Sequence, residues 1–336
     1  MSNQIQNAFV HLDRLSDQRG LFEHAKGTER REEHGYCTDD NARLLVVTSR
    51  EENTDRCGAL GELALQFVLD AQDGDGRSRN RMNRFGRWTD RAGTDDCWGR
   101  SVWALGAATV AHSAPSMRSR ARHGFGIGIH QRSRWPRAMA FAALGAADVA
   151  TREGLDGPIR LLLQDALEII GSGQSADWCW PEDRLRYANA AMAEAVIAAG
   201  AALSDSEVLD RGLAMLAWLL EREISGDHLS ITGVDGRGPH DRSPQFDQQA
   251  IEVAAIADAC WRAHHVTGDA RWNTGIAIAA RWFDGDNDVG VVMYDIRSGG
   301  GYDGLQRDGV NLNQGAESTL ALVSTMQRAQ LLVGAS

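Results

Sequence analysis

Hydrophobic residues recur along the chain with the 3.6-residue period of an amphipathic helix, in twelve segments separated by polar stretches. The predicted helices cover about residues 4–17, 38–50, 55–72, 97–112, 116–129, 136–152, 157–171, 187–202, 206–224, 247–267, 270–284 and 314–333. Strand-like patterns are short, and the two candidates, 229–232 and 289–294, both lie between predicted helices. The pattern therefore predicts an all-α protein.

The connections between these helices alternate between short and long. The short ones lie near 51–54, 113–115, 153–156, 203–205 and 268–269, and the long ones span 18–37, 73–96, 130–135, 172–186, 225–246 and 285–313. Tight turns join antiparallel neighbours, whereas loops above about 12–15 residues are uncommon in compact domains and usually functional. We expect six helical hairpins in a closed double ring, an (α/α)6 toroid, with all long loops at one end. Because no linker or low-complexity tract interrupts the pattern, we expect residues 1–336 to form one domain.

The helices that follow the long loops are rich in small apolar residues, as in 101–110 (SVWALGAATV), 138–150 and 188–202. Alanine and glycine allow helix backbones to approach closely, and a helix that is apolar on most sides is expected to be buried. We therefore expect these helices to form the inner ring.

The chain of 336 residues carries 35 basic and 46 acidic residues, a net charge of −11. This acidity argues against nucleic acid as a partner, and no stretch approaches the ~18 apolar residues of a membrane span. An arginine-rich segment, 115–137, is the exception. The simplest interpretation of this segment is a solvated helix and loop. The alternatives are a subunit contact, which would make the protein a homo-oligomer, or the rim of an anionic-substrate site. The arginines of the segment are Arg118, Arg120, Arg122, Arg132, Arg134 and Arg137.

The cysteines and histidines give no sign of a cross-linked or metal-binding protein. The five cysteines are widely spaced without a CxxC pair, and the histidines lack an HExxH-type spacing. No phosphate-binding glycine motif occurs, so no cofactor and no metal are expected. The N-terminal segment has no apolar signal core, and a cytoplasmic location is expected.

Polar clusters mark the starts of the expected inner helices, where the long loops end. They lie at 36–43 (YCTDDNAR), 94–100 (TDDCWGR), 134–137, 178–189, 245–252 and 311–317. Thr38, Asp39, Asp95 and Asp247 each have a simpler explanation as capping or first-turn residues, which free backbone amides and the helix dipole favour. In a toroid, however, six equivalent helix starts surround one central cavity, where acids perturb one another's pKa.

Glycoside cleavage requires a protonated carboxylic acid for the departing oxygen and a second carboxylate that activates water or attacks the sugar. Asp40 and Asp96 are the leading candidates for these roles, although each precedes an arginine on its own helix face and could form a structural ion pair. Glu182 and Glu317 are further catalytic candidates. Polar and aromatic side chains bind sugar hydroxyls and ring faces. The candidate substrate-binding residues are Tyr36, Asp39, Asn41, Arg43, Trp98, Arg100, Trp178, Trp180, Tyr187, Asn189, Asp247, Gln248 and Asn313.

Several of these strings together resemble a bacterial family whose members are often labelled glycosyltransferase-like. The strings are HGYCTDDNAR (34–43), TDDCWGR (94–100), WCWPEDRLRYANA (178–190), FDQQAIE (246–252), YDGL (302–305) and NQGAEST (313–319). Several members of that family occur joined to or near glycosyltransferases and mannoside phosphorylases. The resemblance implies an (α/α)6 toroid like that of many glycoside hydrolases and sugar epimerases. The chain departs from the family in its arginine-rich segment and at Ala188, where the family leads us to expect an acid.

Three functions follow as hypotheses. The leading one is a glycoside hydrolase that acts on an oligosaccharide, with mannosides as the first guess. The second is a sugar isomerase or epimerase, which would require His34 and His240 to face each other across the cavity as an acid–base pair. The third is a carbohydrate-binding or scaffold protein without catalytic activity.

Overall fold

The computed structural model describes residues 3–51, 55–175 and 177–333, and within them the helices begin and end within a few residues of the predicted bounds. The helices are α1 (Asn3–Arg14), α2 (Thr38–Ser49), α3 (Asp55–Ala71), α4 (Asp96–Ala111), α5 (Pro115–Gly128), α6 (Pro136–Glu153), α7 (Gly157–Ile170), α8 (Asn189–Leu203), α9 (Ser206–Glu223), α10 (Ala250–Thr267), α11 (Arg271–Phe283) and α12 (Ala316–Val333). A short 3-10 helix, Glu32–His34, lies in the first long connection.

The even-numbered helices form a closed inner ring. Each of α2, α4, α6, α8 and α10 contacts the next even-numbered helix, and α12 returns to contact α2. The odd-numbered helices lie outside: α1 packs on α12, and α3, α5, α7, α9 and α11 each pack on the inner helix that precedes them in the chain. The predicted (α/α)6 toroid is confirmed.

Small residues bring the inner helices into direct backbone contact, as their composition predicts. A Cβ atom at Gly106 of α4 would lie 2.5 Å from the carbonyl oxygen of Gly145 in α6. Conversely, a Cβ at Gly145 would lie 2.5 Å from the carbonyl oxygen of Val102. Glycine is therefore required at both positions because any side chain would push α4 and α6 apart.

The long connections join each outer helix to the next inner helix, so they all emerge at the end of the ring where the inner helices begin. We call this the loop end and the opposite one the turn end. Short antiparallel strand pairs shape the loops: β1 (Ala25–Lys26) with β2 (Glu29–Arg30), β3 (Tyr36–Cys37) with β4 (Arg81–Met82), β5 (Ile224–Ser225) with β6 (His228–Leu229), and β7 (Gly304–Gln306) with β8 (Gly309–Asn311). The strand expected at 229–232 overlaps β6 by one residue, whereas 289–294 contains no strand.

The interior of the ring is mainly apolar, and α6 contributes a continuous run of buried apolar residues from Ala138 to Ala147. None of the helices in residues 3–51, 55–175 and 177–333 is long and apolar enough to cross a membrane. Buried charged side chains at the loop end, among them Asp40, Arg43 and Arg100, surround the candidate site.

Candidate active site

The long loops enclose a cavity of about 460 Å³ above the starts of the inner helices. Its volume falls within the range of about 300–1,000 Å³ that is common for small-molecule sites. Acids dominate its lining, so we call it the acidic cavity. The acids of the lining are Glu23, Asp39, Asp40, Asp96, Asp247, Asp303 and Glu317, opposed by Arg43, Arg100 and His24.

Asp40 lies in the first turn of α2 and is almost completely buried, with 2% of its surface exposed. Its Oδ1 accepts a hydrogen bond of 2.6 Å from Nη1 of Arg43, and its Oδ2 accepts one of 3.1 Å from the thiol of Cys37. The same guanidinium contacts Glu317 with its Nη2, at 2.9 Å. Burial raises the pKa of Asp40 to about 6; Arg43 opposes this rise, and the charges of Glu317 and Glu23 add to it.

The adjacent residue, Asp39, has a lowered pKa, in contrast to the raised pKa of Asp40. Nη1 of Arg100 donates to Oδ1 of Asp39 at 2.8 Å and lies 3.5 Å from Oδ2 of Asp96. Burial raises the pKa of Asp39, but the charges of Arg100 and Arg43 outweigh burial and leave it below its ordinary value. Two neighbouring carboxylates are therefore separated in pKa by their surroundings, the condition under which one can hold a proton while the other is ionised.

Asp96 connects this pair to the opposite wall. Burial raises its pKa against the opposing charge of Arg100. The hydroxyl of Tyr187, which also lines the acidic cavity, donates a hydrogen bond to Asp96. Neither Asp39 nor Asp95 makes a side-chain capping bond, since Cys37 and Asp95 occupy the N-cap positions of α2 and α4 without one. The positions fit the simpler explanation, because Asp95 is the N-cap residue of α4 and Asp39 lies in the first turn of α2, but neither side chain makes a capping hydrogen bond.

Glu23, which the sequence analysis did not single out, completes the wall next to Asp40. Ligand atoms of Glu23, Cys37 and Asp40 all lie within 4.8 Å of one another, close enough to hold a metal ion. Burial, with a further contribution from Asp40, raises the pKa of Cys37 well above its ordinary value, so the thiol keeps its proton. Arg81 forms an ion pair with Glu23. A protonated thiol and a nearby guanidinium oppose cation binding, so the absence of a metal stays our prediction.

The remaining catalytic candidate, Glu182, lies beside the acidic cavity and does not line it. Its two carboxylate oxygens accept hydrogen bonds of 2.8 Å each from Arg137. Behind it, a fully buried acid of α10, Glu252, accepts hydrogen bonds from the backbone of Ala188 and Asn189. Burial raises the pKa of Glu252 to about 7. Ala188 has a left-handed backbone with φ of 46°, a conformation that Asn, Asp and Gly adopt more readily than alanine.

Five predicted substrate-binding residues line the acidic cavity: Asp39, Arg43, Arg100, Tyr187 and Asp247. The aromatic candidates other than Tyr187 are buried behind its walls. Tyr36 donates to Asp17 at 2.8 Å, and the indole N–H groups of Trp98 and Trp178 donate to the carbonyl oxygens of Gly128 and Glu182 at 3.1 and 2.6 Å. Trp180 stacks on Trp218 with ring centroids 6.0 Å apart. Because these four rings are buried and do not line the acidic cavity, they support its walls, and the prediction that they stack on sugar there is wrong.

Four amide candidates also lie outside the cavity lining. Asn41 bonds to the backbone of Leu21 and Cys37, and Gln248 donates to Asp288 at 2.6 Å. Oδ1 of Asn189 accepts a hydrogen bond of 3.3 Å from Nη2 of Arg137, and Oδ1 of Asn313 accepts one of 3.0 Å from the backbone N–H of Gly27. Their polar atoms are used to fix loop backbones and acids. In their place, the structure brings His24, Gln249, Asp303, Asn311 and Ser318 to the cavity.

Asp303 lines the acidic cavity but was not among the predicted site residues, although one feature of the sequence pointed to it. It lies in the YDGL string noted for the family resemblance, and its Oδ1 accepts hydrogen bonds of 2.7 Å from the backbone N–H of Gly315 and from the hydroxyl of Ser318. Burial raises its pKa. Because the contacts join a loop to the start of α12, periodicity could not have revealed them.

The arginine-rich segment divides into two parts. Four of its arginines bond to backbone carbonyl groups or to acids of other helices, on the outside of the ring: Arg118, Arg120, Arg122 and Arg132. For these, the solvated-helix interpretation holds. Arg134 and Arg137 instead line a second cavity at the loop end, next to Tyr187.

Comparison with known proteins agrees with this architecture. No family model and no curated protein matches the sequence. A sugar epimerase from a ruminal bacterium superimposes with a TM-score of 0.73 at 11% identity, over 100% of this chain and 97% of that one. A GH76 α-mannanase from Bacteroides thetaiotaomicron gives 0.66 at 11% identity, over 98% and 96%. Cellobiose 2-epimerase from Bacillus thermoamylovorans gives 0.71 at 9% identity, over 97% and 98%. Such identities establish the toroid alone, and the bacterial family stays a prediction.

Proposed function

We propose that the protein is a glycoside hydrolase that cleaves an oligosaccharide, with an α-mannoside as the first candidate substrate. The observation that carries this proposal is the pairing in one cavity of a buried acid, Asp40, whose pKa is raised to about 6, with a neighbouring carboxylate, Asp39, whose pKa is lowered. A general acid is most effective when its pKa lies near the working pH. The structural likeness to a mannanase and to sugar epimerases supports carbohydrate as the substrate class.

In this mechanism, Asp40 donates its proton to the glycosidic oxygen as the bond to the leaving group breaks. Asp96 acts as the base that removes a proton from the attacking water, and Arg100 keeps Asp39 ionised beside it. Arg43 lies between Asp40 and Glu317 and contacts both. Sugar hydroxyl groups at this place can accept hydrogen bonds from the guanidinium and donate hydrogen bonds to the two acids. No step requires a cofactor.

A sugar isomerase or epimerase is the second candidate, because the fold neighbours include such enzymes. The histidine pair expected for it is not assembled at the cavity. His34 packs against His24 with ring centroids 5.1 Å apart, and neither His34 nor His240 lines the acidic cavity. His24 does line it, so this activity would rest on His24 with a carboxylate as the second proton-transfer group.

The test is product analysis by mass spectrometry with manno-, gluco- and arabino-oligosaccharides, with and without phosphate. We expect cleavage by the wild type and by Asp227→Asn, a control whose side chain is 93% exposed. We expect Asp40→Asn to lose about 10²–10⁴-fold in rate, the usual contribution of a general acid. Full activity of Asp40→Asn would remove that residue from the mechanism.

The same incubations separate the other hypotheses. An isomerase in D₂O would introduce deuterium at C2 of the sugar without cleavage, and His24→Ala would abolish this exchange. Binding of oligosaccharide in calorimetry, with neither cleavage nor exchange, would support the non-catalytic carbohydrate-binding protein instead.

A further inference from the structure

A second cavity of about 860 Å³ adjoins the acidic cavity at the loop end. Asp96 and Tyr187 line both cavities, and the hydrogen bond between them forms the partition. The second cavity contains five arginines, so we call it the arginine lobe: Arg81, Arg91, Arg134, Arg137 and Arg186. Two adjoining spaces with a shared wall are suited to adjacent units of one oligosaccharide.

Three of the five arginines are paired with acids. Arg137 binds Glu182, Arg81 binds Glu23, and Arg186 lies 3.2 Å from Asp183. Among the residues that the structure describes, Arg91 and Arg134 form no ion pair. Two unmatched guanidinium groups in one concave surface are notable in a chain with a net charge of −11.

The acids that line the arginine lobe are already engaged by donors of the protein. Asp90 accepts the backbone N–H groups of Asn80 and Arg81 at 2.6 and 3.0 Å. Asp95 accepts the indole N–H of Trp135 at 3.0 Å. The guanidinium groups of the lobe that remain without an acid are therefore those of Arg91 and Arg134, whose planar N–H fork fits a carboxylate or phosphate.

Two exposed aromatic rings give the arginine lobe surfaces on which a sugar ring can stack. Trp135 is 46% exposed and Tyr187 is 40% exposed. Arg134 lies over the ring of Trp135, 4.5 Å from its centroid, and Arg137 lies over that of Tyr187 at 4.8 Å. Aromatic faces beside cationic groups match a ligand that has both an apolar ring face and a negative charge.

We propose that the arginine lobe binds an anionic sugar unit, one that carries a carboxylate or a phosphate group. The acidic cavity repels the same anion, because its seven acids face only two arginines and one histidine. The opposite charges of the two cavities therefore set the register of the bound oligosaccharide. A neutral sugar unit enters the acidic cavity, and its acidic neighbour occupies the arginine lobe. The placement of cleavage rests on the proposed function, whereas the binding of the anion does not.

The test compares the binding of three probes by titration calorimetry: D-mannose, D-mannuronate and D-mannose 6-phosphate. We expect at least one acidic probe to bind the wild type more tightly than mannose. In the double variant Arg91→Gln/Arg134→Gln we expect that advantage to fall by about tenfold for each guanidinium removed. Arg160→Gln, which alters an exposed arginine on the outer helix α7, is the matched control and should keep the wild-type preference.

Equal binding of all three probes, no binding of either acidic probe, or an unchanged preference in the double variant would each overturn the proposal. A preference for mannuronate alone identifies a uronic acid unit, and one for mannose 6-phosphate alone identifies a phosphorylated unit. Because binding is measured without turnover, a failure of the hydrolase proposal appears separately, as absent cleavage with the anion preference intact.

Discussion

The two ends of the helical ring both bury arginines against carboxylates, but the balance of charge differs. At the turn end, Asp258 accepts hydrogen bonds from Arg328 at 2.6 Å and from Ser324 at 2.9 Å, and it lies 3.0 Å from Arg50. The charges of Arg50 and Arg328 outweigh burial and leave the pKa of Asp258 below its ordinary value. This acid is held by residues of two other inner-ring segments.

A second cluster at the turn end is built in the same way. Arg262 of α10 bonds to Glu194 of α8 at 3.3 Å and to Asp148 of α6 at 2.8 Å, so one guanidinium ties three consecutive inner helices together. Across both clusters, three arginines meet three acids. At the loop end, by contrast, acids outnumber arginines in the acidic cavity. Matched charges hold helices in register, whereas an excess of one sign is directed at solvent or at a ligand.

The largest expected effect separates activity at one end from stability at the other. Asp40→Asn should lower the rate of glycoside cleavage by about 10²–10⁴-fold and leave the fold intact, because the acid it replaces is buried at a cost to the charged form. Steady-state kinetics on a mannoside, the proposed substrate class, measure the rate, and unfolding in urea measures the stability.

Asp258→Asn is the matched substitution at the turn end. It should destabilise the protein by about 3 kcal/mol, because Arg50 and Arg328 lose their buried partner, while the folded fraction keeps its kcat within about threefold. If Asp258→Asn abolished turnover in the folded protein, the division between a reactive and a structural end would be wrong.

Arg262→Met carries the next largest effect. It leaves Glu194 and Asp148 without their shared cation, and a loss of about 3 kcal/mol in the free energy of unfolding is expected. Arg160→Met on the exposed side of α7 should change it by less than about 0.5 kcal/mol. Urea unfolding monitored by tryptophan fluorescence compares the two, and equal stability of both variants would show that the turn-end cluster is dispensable.

The contrast also explains how far the sequence could predict the molecule. Helical periodicity placed every inner helix, and the alternation of loop lengths was enough to close the ring. Asp40 and Asp96 could be found because they stand at helix starts, a position with a local signal. Glu23 and Asp303 could not, because they reach the cavity through contacts of irregular loops with distant segments.

The tryptophan assignments failed for a related reason. Trp178 and Trp180 lie in a long loop, which suggested exposure, yet both are buried against Trp218 of the outer helix α9. The long loop that carries them therefore extends the hydrophobic core of the ring, and a sequence pattern without a period does not distinguish an aromatic side chain that packs on a core from one that faces a ligand.

The pH dependence of stability is the third test, and it involves both ends. Burial raises the pKa of Asp40 from 3.8 to about 6 and that of Glu194 from 4.5 to about 7. The folded state therefore keeps protons that the unfolded state has released, so stability should fall as the pH rises from about 4 to about 7. A pKa difference of this size corresponds to at most about 3 kcal/mol for each acid. Asp258, with its lowered pKa, acts in the opposite sense and only near or below pH 4.

Thermal melts between pH 4 and pH 8 check this prediction. Asp40→Asn and Glu194→Gln should each reduce the loss of stability with rising pH. In each variant, the difference in melting temperature between pH 4 and pH 8 should therefore be smaller than in the wild type. The two variants differ in a second readout. Asp40→Asn also removes the decline of kcat/KM above about pH 6 that a general acid produces, and Glu194→Gln leaves that decline in place. A melting temperature that rose steadily with pH would contradict the assignment of protons to these buried acids.

The smallest expected effect concerns the wall between the acidic cavity and the arginine lobe. Tyr187→Phe keeps the ring but removes the hydroxyl that donates to Asp96, so we expect kcat/KM to fall by about threefold to tenfold, the equivalent of one hydrogen bond. Tyr294→Phe is the control, because it removes a hydroxyl that donates to Asp284 at 3.1 Å, outside the lining of either cavity. The lost hydrogen bond favoured the ionised form of Asp96, so its removal should also raise the pKa of Asp96. The acidic limb of the kcat/KM profile should therefore move to higher pH. A Tyr187→Phe enzyme with the rate and pH profile of Tyr294→Phe would mean that the partition positions nothing in the reaction, and that the two cavities act as one open cleft.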